Sequence, residues 1–184
     1  GIMMCPPKEL ESIKICTLLW IHEVRRCFCD RMTNAKDMEW FQNLLNQQLE
    51  SAFNTTWGET MGDGGDRLFF GDYMSSQDPR PYAHVPDPDK LIDAMVEQLS
   101  DYNEETKSPM NLVLFLDAIE HVSRIARVLR QPQGNCLCLG VGGSGRQSLT
   151  RLASHIMQYP VKQVEIAKGY GMAEWRDDVK EALL

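Results

Sequence analysis

No stretch of this chain is long and apolar enough to cross a membrane, and no leader of the secretory kind stands at its start. Positive charge is also short: 19 Lys and Arg against 26 Asp and Glu leave a formal net charge of −7. A free-standing nucleic-acid binder shows a basic face, so neither nucleic acid nor membrane is an expected partner. The six cysteines are not spaced as a secreted disulfide framework, which points to a reducing, intracellular compartment. Internal repeats and low-complexity tracts are absent. The chain opens on glycine and stops inside a helical pattern at Leu183-Leu184, so it is expected to be a piece of something longer. Its 184 residues, 43% hydrophobic, suffice for one large packed domain or one and a half small ones.

What is present centres on Gly140-Val141-Gly142-Gly143-Ser144-Gly145-Arg146-Gln147-Ser148. The short apolar run Asn135–Leu139 before it reads as a buried strand. Leu149, Leu152, Ala153 and Ile156 after it stand at helical spacing. Strand, glycine-rich turn and helix form the setting of a phosphate-binding loop: glycines let several N–H groups converge on one anion, and the helix N-terminus adds partial positive charge. The alternative is a tight strand-to-helix turn whose loop has lost its ligand.

Two residues depart from the pattern G-x-x-x-x-G-K-[ST]. Arg146 replaces the lysine and holds phosphate by a planar fork rather than as a point charge. Gln147 replaces the hydroxyl that ligates Mg²⁺, and a neutral amide is a poor ligand for a small hard cation. Ser148 serves as metal ligand only if the helix start shifts by one residue. These residues favour holding a nucleotide over hydrolysing one.

Elsewhere, periodicity predicts an amphipathic helix from about Lys8 to Met32, through Leu10, Ile13, Thr17, Trp20, Ile21, Val24 and Phe28. His22-Glu23 begins like a zinc-protease motif, but Arg26 stands where the second histidine is required, so a helix-surface polar cluster is expected. Cys27 and Cys29 point to different helix faces, which suits neither a metal nor a disulfide. A second helix is predicted after Asn34, with Trp40, Phe41, Leu44, Leu45, Leu49 and Phe53, and is ended by Thr55-Thr56-Trp57-Gly58. Residues 62–66 read as a surface loop. Leu68–Tyr73 and Tyr82–Val85 are strand candidates.

Asp87-Pro88 is a helix start, with Leu91, Met95, Leu99 and Tyr102 on one face and Asp89, Asp93, Glu97 and Asp101 as a solvated side. The next helix carries Ile119, Val122, Ala126 and Leu129. A second strand is expected at Lys162–Ile166 and a helix at Met172–Leu184. Cys136 and Cys138 share a strand face, which suggests core packing. The expected fold class is therefore α/β, a three-layer P-loop fold with a parallel sheet and crossover helices.

Asn111–Phe115, Ala118, Glu120-His121, Arg124-Ile125, Arg127, Leu129–Pro132, Gly134-Asn135 and the glycine loop closely resemble the fourth AAA+ module of axonemal dynein heavy chains. Glu165-Ile166, Tyr170-Gly171, Glu174–Arg176 and Asp178–Lys180 continue the resemblance. Leu19–Glu23, Arg26, Phe28, Asp30-Arg31 and Trp40-Phe41 resemble the helical lid of the third module. The resemblance implies an incomplete AAA+ P-loop fold at 111–184, a lid segment of the preceding module at 1–57 and a connecting segment at 58–110.

It further implies an ATP-driven microtubule motor of cilia and flagella, in which this part is a regulatory nucleotide-binding module. ATP or ADP is the implied cofactor, with Mg²⁺ coordination left open by Gln147. Gly140 to Ser148 (Gly140, Val141, Gly142, Gly143, Ser144, Gly145, Arg146, Gln147, Ser148) wrap the phosphates, and Leu112, Val113, Leu114 and Phe115 lie near the adenine. Implied partners are neighbouring modules of the same heavy chain, microtubules through the parent stalk, and dynein intermediate and light chains. The implied location is the cytoskeleton of the ciliary axoneme. No catalytic acid follows the loop in this sequence, so the chain alone is expected to lack ATPase activity, and a structural ring segment with an empty loop is the alternative function.

Overall fold

Two of the main helices begin where a side chain satisfies the free N–H groups of the first turn. In the computed structural model, which describes residues 2–62 and 67–183, Asn34 accepts from the Lys36 N–H at 2.9 Å and starts helix α2, Ala35–Phe53. Asp87 accepts from the N–H groups of Asp89 and Lys90 and, with Pro88 in the first turn, starts α4, Pro88–Glu105. The first helix, α1, spans Ile13–Phe28. Its expected N-terminal turns are a separate 3₁₀ turn, Pro7–Leu10, and its last residues pass into another, Cys29–Arg31.

Between α2 and the first strand lies a short helix that periodicity alone does not reveal, α3, Trp57–Met61. Asn54 takes a left-handed conformation and ends α2, and a Thr56/Glu59 capping box restarts the helix at once. There the Glu59 carboxylate accepts from the Thr56 N–H at 2.8 Å while the Thr56 hydroxyl accepts from the Glu59 N–H at 3.3 Å. Residues 63–66 of the expected surface loop lie outside the described residues.

The two strand candidates do form strands, β1 at Phe69–Gly71 and β2 at Ala83–Val85, paired antiparallel with Phe69 opposite Val85 and Phe70 opposite His84. Alternation along β1 splits the core in two. Phe69 and Val85 join the larger cluster with Leu91, Met95 and Leu99 of α4. That cluster also takes in Ile119, Val122 and Ala126 of α5, Leu116–Leu129, and Leu152, Ala153 and Ile156 of α6, Arg146–Ile156. Each fully buried Leu or Ile there contributes roughly 1.5–3 kcal/mol of hydrophobic stabilisation. Phe70 turns the other way, to Leu18 and Leu19 of α1, Tyr82 and Cys5. The last helix, α7, spans Met172–Leu183 and buries no residue.

The expected parallel sheet is not among the described residues, whose only sheet is the β1–β2 pair. Neither Asn135–Leu139 nor Lys162–Ile166 forms a strand, and Leu137, Leu139 and Ile166 are 83%, 81% and 83% exposed. An apolar run becomes a strand only when a neighbouring strand takes up its N–H and C=O groups. The apolar face of α6 packs on α5 and α4, so no sheet lies beneath it to template those runs. Cys136 is accordingly exposed and Cys138 half-buried, although their Sγ atoms stand 3.6 Å apart on one side as alternation requires.

Candidate phosphate-binding site

The loop between Leu139 and α6 is shaped by glycine. Gly143 and Gly145 both take φ +77°, a conformation that L side chains rarely adopt, and Gly145 is the residue immediately before the helix. No side chain caps α6 there, so the N–H groups of its first turn stay available to an anion. The loop is closed by its own contacts: the Ser144 N–H donates to the Val141 carbonyl at 3.3 Å, and the Arg146 guanidinium donates to the same carbonyl at 3.1 Å. A Cβ on Gly140 would stand 2.8 Å from the Ser144 hydroxyl, so the two sides of the neck touch.

Gly142 to Ser148 open onto a cleft of about 880 Å³, whose other wall is Val161, Lys162, Gln163 and Val164. Cys138, Thr150 and Arg151 complete it. The lining holds three basic side chains and, among the described residues, no carboxylate. Lys162 is tied down, donating to Glu181 at 2.5 Å and to the Asp178 carbonyl at 3.2 Å. Arg151 donates to the neutral Gln163 side chain at 2.5 Å. Gln147 is exposed, and Ser148 is half-buried in the first turn of α6. The Thr150 hydroxyl donates to the Arg146 carbonyl at 2.8 Å.

Leu112 to Phe115 do not join this lining. They lead into α5, with Leu112 and Leu114 against the larger core and Val113 and Phe115 turned outward, 82% and 58% exposed. Arg151, Lys162 and Gln163 are cleft residues that the loop pattern did not single out. For Arg151 the signal was the four-residue spacing from Gln147, which places both on one side of α6.

A second polar assembly lies away from the loop, where a surface cluster was expected. His22 and Glu23 are 6% and 5% exposed, buried between α1 and its neighbours. The Arg127 guanidinium of α5 grips Glu23 with two hydrogen bonds, Nε to Oε1 at 3.1 Å and Nη2 to Oε2, and His22 Nδ1 lies 3.2 Å from Oε1. Burial pushes the Glu23 carboxyl up, but the hydrogen bonds from His22 and Arg127 and the Arg127 charge outweigh it and hold the group at about 2. For His22 burial dominates and lowers it, against the opposing pull of Glu23. Alongside, Arg26 of α1 reaches Glu120 of α5 at 3.3 Å, and Arg130 pairs with the buried Asp72. Of the face that periodicity assigned to α1, Thr17 and Ile21 are buried as expected, Leu18, Leu19, His22 and Glu23 are buried beside them, and the end positions Ile13 and Phe28 are 80% and 58% exposed.

Among the described residues, no cluster of three or more His, Cys, Asp or Glu could hold a metal ion, and no helix is long and apolar enough to cross a membrane. The glycine loop, the uncapped α6 and the basic cleft agree with a match of residues 110–184 to the P-loop containing dynein motor region D4. This part of the chain is thus a dynein motor region of the AAA+ class. Across the whole chain, 43% of residues are identical to dynein axonemal heavy chain 1 of Mus musculus over 185 residues. Dynein axonemal heavy chain 3 of Homo sapiens is 38% identical over 195 residues, again spanning the whole chain. Dynein axonemal heavy chain 2 of Mus musculus is 44% identical over 165 residues, covering 89% of this chain. The chain belongs to the axonemal dynein heavy-chain family, cytoskeletal proteins of the cilium axoneme. It spans 4% of the length of heavy chain 1 and 5% of heavy chain 3.

Proposed function

We propose that this segment is a regulatory nucleotide-binding module of an axonemal dynein heavy chain, an ATP-driven motor acting on microtubules. The observation that carries the reading is the loop itself: a glycine turn, an uncapped helix start and a cleft with basic but no acidic lining among the described residues. Gly140 to Ser148 enclose the phosphates of ATP or ADP. The runs Leu112–Phe115, Asn135–Leu139 and Lys162–Ile166 supply strands of a parallel sheet once their neighbours in the heavy chain are in place, and their exposed apolar side chains support that assembly. Leu112 to Phe115 then border the adenine. Residues 1–57 act as the lid segment of the preceding module, 58–110 as a connection and 111–184 as the first part of the P-loop module. Neighbouring modules of the same chain are its direct partners, with microtubules and the intermediate and light chains reached through the parent protein.

Regulation rather than turnover follows from the residues at the loop. Gln147 offers no hydroxyl to Mg²⁺, which leaves Ser148 as the candidate ligand next to it at the helix start, and no acidic group among the described residues lies in the cleft to position water. Within its complete module the loop is therefore expected to bind ADP in a calorimetric titration, and the chain alone to show no steady ATP turnover above background. Turnover abolished by Gly145→Asp would refute the regulatory assignment. The competing reading, an empty loop serving only module contacts, is favoured by one observation: Arg146 is folded onto the Val141 carbonyl of its own loop. Failure of ADP to bind to the complete module would decide for it.

A further inference from the structure

We propose that Arg151 is a second phosphate contact of the glycine-loop cleft, so that two arginines neutralise a bound nucleoside diphosphate and no divalent cation is needed. The inference rests on the reading of the loop as a nucleotide site and concerns how that site balances charge. In the general pattern a lysine and a hydroxyl-bound Mg²⁺ share the task. Here both are missing, and the cleft has compensating positive charge. Arg146 and Arg151 line the same space, and neither has a carboxylate partner among the described residues. Their acceptors are neutral, the Val141 carbonyl at 3.1 Å and the Gln163 side-chain oxygen at 2.5 Å.

Five residues apart on α6, the two Cα atoms are separated by roughly 7.5 Å along the axis, a gap that two long side chains close from either end. The third basic residue, Lys162, is engaged by Glu181 and Asp178 and adds little net charge to the cleft. Oxygen ligands for a hard cation are correspondingly scarce. The lining has no Asp or Glu among the described residues, and its side-chain oxygens are the neutral ones of Ser144, Gln147, Ser148, Thr150 and Gln163, none of which brings the negative charge of a carboxylate to a cation. A diphosphate entering the cleft takes the place of Gln163 on the Arg151 fork and gains a charge-assisted, two-pronged contact. Gln163 thus serves as the neutral seat that keeps Arg151 extended across the cleft when no anion is present.

The test is titration of ADP, in Mg²⁺ and in EDTA, into the chain extended to complete the module, with AMP as the single-phosphate comparison. Three chains are measured: unaltered, Arg151→Ala and Gln163→Glu. Gln163→Glu gives Arg151 a permanent carboxylate partner without removing it, so it probes the charge even if Arg151→Ala disturbs folding. The expected result is equal ADP affinity in Mg²⁺ and EDTA for the unaltered chain. Each variant should weaken ADP about tenfold, which is 1.4 kcal/mol, and weaken AMP less, with unchanged helical circular dichroism. Unchanged ADP affinity in both variants, or loss of the unaltered chain's binding in EDTA, overturns the proposal while leaving the loop a nucleotide site. Absence of any ADP binding by the unaltered chain, extended to complete the module, overturns the nucleotide reading itself, and this inference with it.

Discussion

Arg127→Met removes one partner of a pair whose side chains are only 14% and 7% exposed, and leaves the Glu23 carboxylate inside the protein. Two responses are open to that carboxylate. It stays charged and loses both Arg127 hydrogen bonds, or it takes up a proton. Protonating a carboxyl whose ordinary value is 4.5 costs about 3.4 kcal/mol at pH 7, from about 1.36 kcal/mol per unit over 2.5 units. Breaking a buried pair from one side typically costs about 3–5 kcal/mol, so the two routes agree in size. The contact with His22, at 3.2 Å, offsets part of the loss. Against a total stability of roughly 5–15 kcal/mol, that is a severe change.

Urea unfolding followed by circular dichroism, on the unaltered chain, Glu23→Gln, Arg127→Met and the double variant, completes a cycle. Arg127→Met is expected to lose about 3 kcal/mol or more, and the double variant to be more stable than Arg127→Met, because the buried charge that Arg127 balances is gone. If Arg127→Met loses less than about 1 kcal/mol, or the two single effects simply add, the pair does not join α1 to α5 as described.

Acidification is expected to weaken the fold in two stages. The folded value of Glu23, about 2, lies below its ordinary 4.5, so the unfolded chain binds the extra proton and stability falls as pH drops from 4.5 towards 2. His22 is lowered from 6.5, so its contribution begins to be lost below 6.5. Unfolding midpoints measured from pH 7 to 3 should fall throughout, and fall less in Glu23→Gln below pH 4.5. Gly71→Ala should cost about 1–3 kcal/mol by overpacking, because the new Cβ would stand 2.2 Å from the buried Tyr73 ring, which Ser123 holds at 2.9 Å; an unchanged urea midpoint would contradict this. At the loop, Arg146→Ala should weaken ADP about tenfold or more by losing a charge-assisted contact. Gln147→Thr should make ADP affinity Mg²⁺-dependent, and titrations with and without Mg²⁺ check both.

Local chemistry and tertiary pairing divide this protein between them. Asn34, Asp87-Pro88 and the apolar spacing of α2, α4, α5 and α6 act within one or two turns of chain, so their positions were legible in the sequence. The exposed acidic side of α4 was legible in the same way. The glycine loop too is a local object, since φ +77° at Gly143 and Gly145 needs glycine whatever surrounds it. The Thr56/Glu59 capping box is equally local, written as T-x-x-E within a turn-like composition.

Residues remote in sequence decided the rest. His22 and Glu23 look like surface residues until Arg127, 104 positions away from Glu23, supplies the counter-charge that makes burial tolerable. Phe69 and Phe70 are adjacent and alike, yet pairing with β2 sends them into different cores. Asn135–Leu139 has the composition of a buried strand but no neighbour in register, so it forms none. Composition states a preference for a strand, and hydrogen-bond partners contributed by another part of the chain turn that preference into structure.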